Sequence, residues 1–110
     1  MFLLVPVLIL GQISGIKSIG LGGDYTTFGT AANALSNYGV DGPVTFNVLN
    51  GTYDGDFTLS SISGTSETNT VTFQSYSGDA DDVILTDSWS NATYVARFNG
   101  ADYVTFKNIT

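Results

Sequence analysis

Apolar residues recur along this chain in two rhythms. Between residues 28 and 38, Phe28, Ala31, Ala32, Leu35 and Tyr38 are spaced by threes and fours, which describes one face of a helix. Thr26 or Thr27 can cap its start, and Gly39 can close it in the left-handed conformation. This is the only helix the pattern predicts, and its single apolar face needs something to cover. After Pro43 the rhythm changes to two. Val44, Phe46 and Val48 are expected to point one way, and Thr45 and Asn47 the other. Further short runs follow: FTLS, TVTFQS, VILT, YVARF and YVTFKNIT. All are rich in Val, Phe, Tyr and Thr, and Gly/Asp/Asn turns separate them, as strands require.

The strands also repeat in order. Val-Thr-Phe occurs at 44–46, 71–73 and 104–106, each time followed by a long polar residue, Asn47, Gln74 or Lys107. The step from Val44 to Val71 is 27 residues, and the same step carries Gly51 onto Gly78 and Phe57 onto Ile84. From Val71 to Val104 it is 33, with the extra length expected in the loop around Trp89. A unit of this size that returns in phase predicts a solenoid. Val should stack on Val and Phe on Phe in parallel register, around a continuous apolar column. A β-sandwich would also have short strands, but nothing in it would bring the same residues back in phase.

Two end segments stand outside the repeat. Residues 1–11 include an apolar stretch, Phe2 to Leu10, of signal-peptide length and too short to span a bilayer. They read as a partial signal peptide, since no Lys or Arg precedes the stretch; the alternative is a buried first strand. Residues 12–43 read as a leader strand and loop followed by the helix, and residues 44–110 as the coils. The run ending at Thr110 is strand-like and carries no second cap. The expectation is therefore an N-terminal piece of a longer chain, whose downstream coils would be its partner.

The stretch GGDYTTFGTAANALSNYGVDGPVTFNVLNGTYDGDFTL resembles the opening of right-handed parallel β-helix proteins of the pectin lyase-like superfamily. The matching elements are Gly23-Asp24-Tyr25-Thr26-Thr27-Phe28, Ala31–Leu35, Gly42-Pro43, Val44–Val48, Gly51-Thr52-Tyr53 and Phe57–Leu59. Later, NGADYVTFKNIT is similar to a rung sequence of that superfamily. The composition resembles that of secreted surface proteins of Bacteroidota-type bacteria. The resemblance covers about residues 23–110. It implies an all-β fold, the first two to three coils of a right-handed parallel β-helix, with the helix capping the open N-terminal end. Without a cap, the first coil would expose its apolar interior.

Composition narrows the chemistry. Charged residues are 12% of the 110 residues, about half the usual share, and Thr, Ser, Asn and Gly take their place. That suits a β-rich exported protein, secreted or held at the cell surface. Net charge is −7, with Lys17, Arg97 and Lys107 the only cations, so no nucleic-acid partner is expected. No membrane span is expected beyond the signal segment. Without Cys or His there are no disulfides, no Cys or His metal ligands and no imidazole catalysis.

Three sets of residues could still carry function. Asp54 and Asp56 lie in one acidic turn, and Asp79, Asp81 and Asp82 in another, with Asp81 in phase with Asp54. Oxygen ligands of this kind could hold Ca²⁺, the only cofactor considered; the alternative is solvated turn aspartates. Asn47, Gln74 and Lys107 should form an outward row beside Thr45, Thr72 and Thr105, a flat polar face on which a polysaccharide could lie. The alternative is the wet side of an ordinary strand. Trp89 could stack on a sugar ring or plug a seam. Arg97 should point outward. Lyases of the resembling superfamily use a basic residue beside a uronate, but one Arg without partners is not such a site, and the esterase motifs have no match. Asn50, Asn91 and Asn108 fit the glycosylation acceptor pattern, which matters only in a eukaryotic secretory host.

No catalytic set emerges. The leading expectation is a capping and scaffold segment of an exported or cell-surface β-helix protein, polysaccharide-associated or adhesive. The alternative is the N-terminal portion of a pectate lyase-like or pectinesterase-like enzyme whose active residues lie downstream.

Overall fold

The computed structural model describes residues 12–87 and 94–110. The segment 1–11, read above as a partial signal peptide, and Trp89 lie outside them. Among the described residues strands dominate, all ladders between them are parallel, and one α-helix is present: a mostly-β protein. The strands are β1 (Ile13–Ile19), β2 (Val40–Val48), β3 (Gly51–Asp54), β4 (Phe57–Ser60), β5 (Val71–Ser75), β6 (Val83–Thr86), β7 (Ala96–Asn99) and β8 (Val104–Lys107). The helix α1 spans Phe28–Tyr38.

One sheet has four strands in the order β1-β2-β5-β8; two smaller sheets pair β3 with β6 and β4 with β7. From β2 onward, each strand pairs with the one three places later. The Val-Thr-Phe repeat pairs as its spacing predicts. Val44, Val71 and Val104 align, as do Thr45, Thr72 and Thr105, and Phe46, Phe73 and Phe106. The three Phe rings are stacked, with centroids 4.7 and 4.9 Å apart and planes within 15° of parallel. Identical aromatics in register meet face to face with an offset, the arrangement their quadrupoles favour.

The other two sheets correct the expected phase. Phe57 pairs with Ala96, not with Ile84, and Gly51 pairs with Val83, not with Gly78. The repeat holds three strands where the sequence pattern suggests two. The missed one is β3, Gly-Thr-Tyr-Asp, whose polar residues read as a turn. Its partner β6 begins only after a short 3₁₀ turn at Ala80–Asp82, so the step from Gly51 to Val83 is 32 residues, against 27 from Val44 to Val71.

The leader strand is integral to the main sheet. β1 runs parallel to β2, with a register break between Ile13 and Gly15 that leaves Asp41, Gly42 and Pro43 without partners in the ladder. Pro43 thus sits where no ladder hydrogen bond is asked of it.

The core is one continuous cluster. α1 packs against β4 and β1. Its buried residues are Phe28, Ala31, Ala32, Ala34 and Leu35, whereas Tyr38 is 54% exposed. Phe28 reaches among the strand rings, stacked 5.8 Å from Phe73 and 5.4 Å from Phe57. Tyr25 stands edge-on to Phe46 at 5.7 Å. Closure of this end is therefore shared between the helix, β1 and Tyr25. At the other end the layer is open: Phe98 and Tyr103 are each 49% exposed, and Phe106 is half-buried.

Candidate functional site

The outward face of the four-stranded sheet carries two polar rows. One runs Thr45, Thr72, Thr105 and ends on β1 at Ile16, which is 74% exposed. The other runs Ser18, Asn47, Gln74, Lys107. Parallel strands place neighbours in each row about 4.8 Å apart. Gln74 donates from Nε2 to Asn47 Oδ1 at 3.0 Å. That bond orients two amides along the sheet and leaves their other polar atoms facing outward. Asn47 and Gln74 are half-buried, and Lys107 is exposed beside them.

The two acidic turns do not stack in the expected phase. Asp54 pairs with Thr86 across the β3–β6 ladder, so it does not stand over Asp81. Asp79 accepts from Asp81 N at 2.9 Å as the cap of the 3₁₀ turn, and Ser77 Oγ donates to Asp82 Oδ2 at 2.7 Å. Asp79 and Asp82 are thus used in shaping their own turn. Among the described residues, no group of three or more acidic side chains is placed to hold a metal ion. The expectation that Asp54, Asp56, Asp79, Asp81 and Asp82 form a Ca²⁺ site rested on the 27-residue phase. The third sheet does not keep that phase, because the 3₁₀ turn takes up the extra chain.

Arg97 is exposed on β7, opposite Thr58, with its guanidinium 5.7 Å from the centroid of the Tyr94 ring. The Tyr94 hydroxyl is 3.4 Å from Thr58 Oγ1. Asn50 and Asn108 are exposed, and Asn91 lies outside the described residues.

A second feature has no counterpart in the sequence reading. Two adjoining hollows, of about 320 and 420 Å³, run between α1 and the β3–β4 segment and share Gly29, Asp56 and Phe57. Together they form a trough along the helix. Its lining mixes hydroxyl, amide and carboxylate groups with apolar surface, with no Lys or Arg among the lining residues. Gly29 and Asp56 border both hollows. Gly29 is the second residue of α1, in its first turn. No close neighbour demands it, since an added Cβ would meet only Thr27 Oγ1 at 3.8 Å. Asp56 adopts φ 63°, a left-handed conformation that Asp and Asn enter more readily than other side chains, and Tyr103 and Asn108 adopt it elsewhere. A glycine in the first turn of an Ala-rich helix was the one sequence signal that could have drawn attention to this place.

Two phenols lie close by. Burial raises the pKa of Tyr25 above the ordinary tyrosine value, with the Asp24 carboxylate and Tyr38 adding to the effect; burial alone raises Tyr53. Tyr53 donates to Leu49 O at 2.7 Å, which fixes its ring beside Phe28.

Fold and surface together define a mostly-β, parallel-stranded chain with one polar sheet face and one polar trough. No family model, curated protein or solved structure matches it. No described helix is long and apolar enough to cross a membrane.

Proposed function

We propose that the chain forms the opening turns of a right-handed parallel β-helix and serves as the capping and scaffold segment of an exported or cell-surface protein that handles polysaccharide or adheres. It would belong with the pectin lyase-like group that its opening resembles, in an exported chain of the kind found in Bacteroidota-type bacteria. The observation that carries the reading is the pairing of each strand from β2 onward with the one three places later, all parallel, with Val-Thr-Phe returning in register. A chain that winds as a spring pairs in this way. The closed end at α1, β1 and Tyr25 supports a capping role, and the open end, with Phe98, Tyr103 and Phe106, supports further coils as the natural neighbour. The Thr and amide rows support the polysaccharide part. They place hydroxyls and amides side by side on neighbouring strands, with Lys107 at one end and the exposed Ile16 on β1 at the other.

The alternative, the front part of a lyase- or esterase-like enzyme, gains nothing from Arg97. Its guanidinium lies over Tyr94, opposite Thr58 on the neighbouring strand.

Two measurements test the proposal. Cysteines replacing Thr72 and Thr105 should cross-link readily under mild oxidation, because those positions are directly opposed; a pair shifted by one residue should not. Affinity electrophoresis against a set of plant and bacterial polysaccharides should show retardation that falls in an Asn47→Ala, Gln74→Ala double variant. Cross-linking without retardation on any polysaccharide would leave the coil and remove the glycan.

A further inference from the structure

The geometry points to the trough between α1 and the β3–β4 segment as a binding subsite for a neutral, hydroxyl-rich ligand, one or two unmodified sugar units of a chain and not a uronate. The inference rests on the reading that the protein handles polysaccharide, and adds where and which class.

The size is right at the outset. Hollows of about 320 and 420 Å³ fall at the small-ligand end of the range that binding clefts occupy. The chemistry is selective. Asp56, Asn33, Ser36 and Thr52 offer acceptors and neutral donors on the walls, and Tyr53 and Phe57 bring aromatic carbon to the floor. Carboxylate and amide groups beside an aromatic surface match the hydroxyls and apolar ring faces of a sugar. A carboxylate-bearing sugar would meet Asp56 with no Lys or Arg among the lining residues to offset the repulsion. A bare cation is disfavoured, because no metal-ligating cluster of three or more groups exists among the described residues.

Two lining residues are suited to probing the assignment. A Cβ added at Gly29 would meet only Thr27 Oγ1, at 3.8 Å, so a side chain placed there would enter open space. Asp56 holds a left-handed conformation that a glycine would adopt freely, and its side chain borders both hollows. The outward Asn47–Gln74 face is a separate surface and shares no lining residue with the trough.

The test is calorimetric titration of the full chain with cellohexaose, xylohexaose, mannohexaose and hexagalacturonate. At least one neutral hexaose should bind saturably, and hexagalacturonate should bind at least tenfold more weakly. Gly29→Leu should weaken the neutral interaction at least tenfold without lowering Tm, since leucine favours the helix and enters open space. Asp56→Gly should also weaken it while relieving the backbone. Neutral binding that survives both variants would overturn the assignment. If that binding is lost instead in Gln74→Ala, the sugar lies on the outward face, and the polysaccharide reading stands without this subsite. Binding of hexagalacturonate as tight as the neutral chains would overturn the class. No binding of any of the four would end both the subsite and the polysaccharide reading.

Discussion

Four side chains expose the energetics most directly at the residue scale. Phe73 is fully buried between the rings of Phe46 and Phe106, so Phe73→Ala removes contacts on both faces at once. A loss of about 3–5 kcal/mol is expected, against a clearly smaller loss for Phe106→Ala at the open layer; urea denaturation curves of the two variants check the order. Ser75 holds the inward position paired with Val48, is 3% exposed, and its hydroxyl has no hydrogen-bond partner. A buried hydroxyl without a partner is a net penalty. Ser75→Ala should therefore raise stability by up to about 1 kcal/mol, read as a Tm increase of about 4 °C. Tyr25 and Tyr53 make stability depend on alkaline pH. Burial raises both phenols above their usual value of 10.0. A raised folded-state pKa means the stabilising contribution is whole below the unfolded value and is lost as pH climbs through the folded one. Stability should hold level from these groups up to about pH 9.5 and fall beyond pH 10. Tyr25→Phe should flatten that fall and change nothing at neutral pH.

At the scale of elements, α1 is held by its two ends. Thr27 accepts from Thr30 N at 3.0 Å, and Gly39, at φ 72°, donates to Leu35 O at 2.9 Å. Thr27→Ala should cost about 1 kcal/mol, with Thr27→Ser restoring most of it. Gly39→Ala should cost more, because the left-handed backbone disfavours any Cβ and this one would lie 2.6 Å from Ser63 O. Chemical denaturation of the three variants ranks them. The helix was legible in the sequence because its signals are local: a threonine at one end, a glycine at the other, and a 3.6-residue rhythm between. Ala34 was missed, and Tyr38 was expected on the buried face but lies exposed, because the face is wider than the ideal stripe near its centre and the last turn runs past the strands. β3 was hidden for the opposite reason. Gly51, Thr52 and Asp54 carry no apolar signal, and only pairing with Val83–Thr86 makes the segment a strand.

The whole molecule has one closed end and one open end. At the open end β7 and β8 are edge strands, with Phe98 and Tyr103 exposed, whereas β6 already exchanges backbone hydrogen bonds with Thr110. Unpaired parallel edges with apolar side chains invite other strands. The described chain should self-associate with rising concentration, and Phe98→Lys should reduce that association while shifting Tm little; sedimentation velocity across a concentration series decides. The in-register column was readable from sequence alone, because a residue that recurs with its neighbours announces its own stacking partner. Val-Thr-Phe therefore determined the parallel pairing of the main sheet and the line of aromatic rings. It could not determine how the intervening chain is divided, since turn-forming and strand-forming polar residues look alike until a partner strand satisfies their backbone groups. Only the tertiary structure decided that a third sheet exists, that the acidic turns fall out of step, and that a helix glycine and a left-handed aspartate meet across one trough. Those outcomes depend on distances between segments far apart in the chain, and local side-chain preferences carry no record of them.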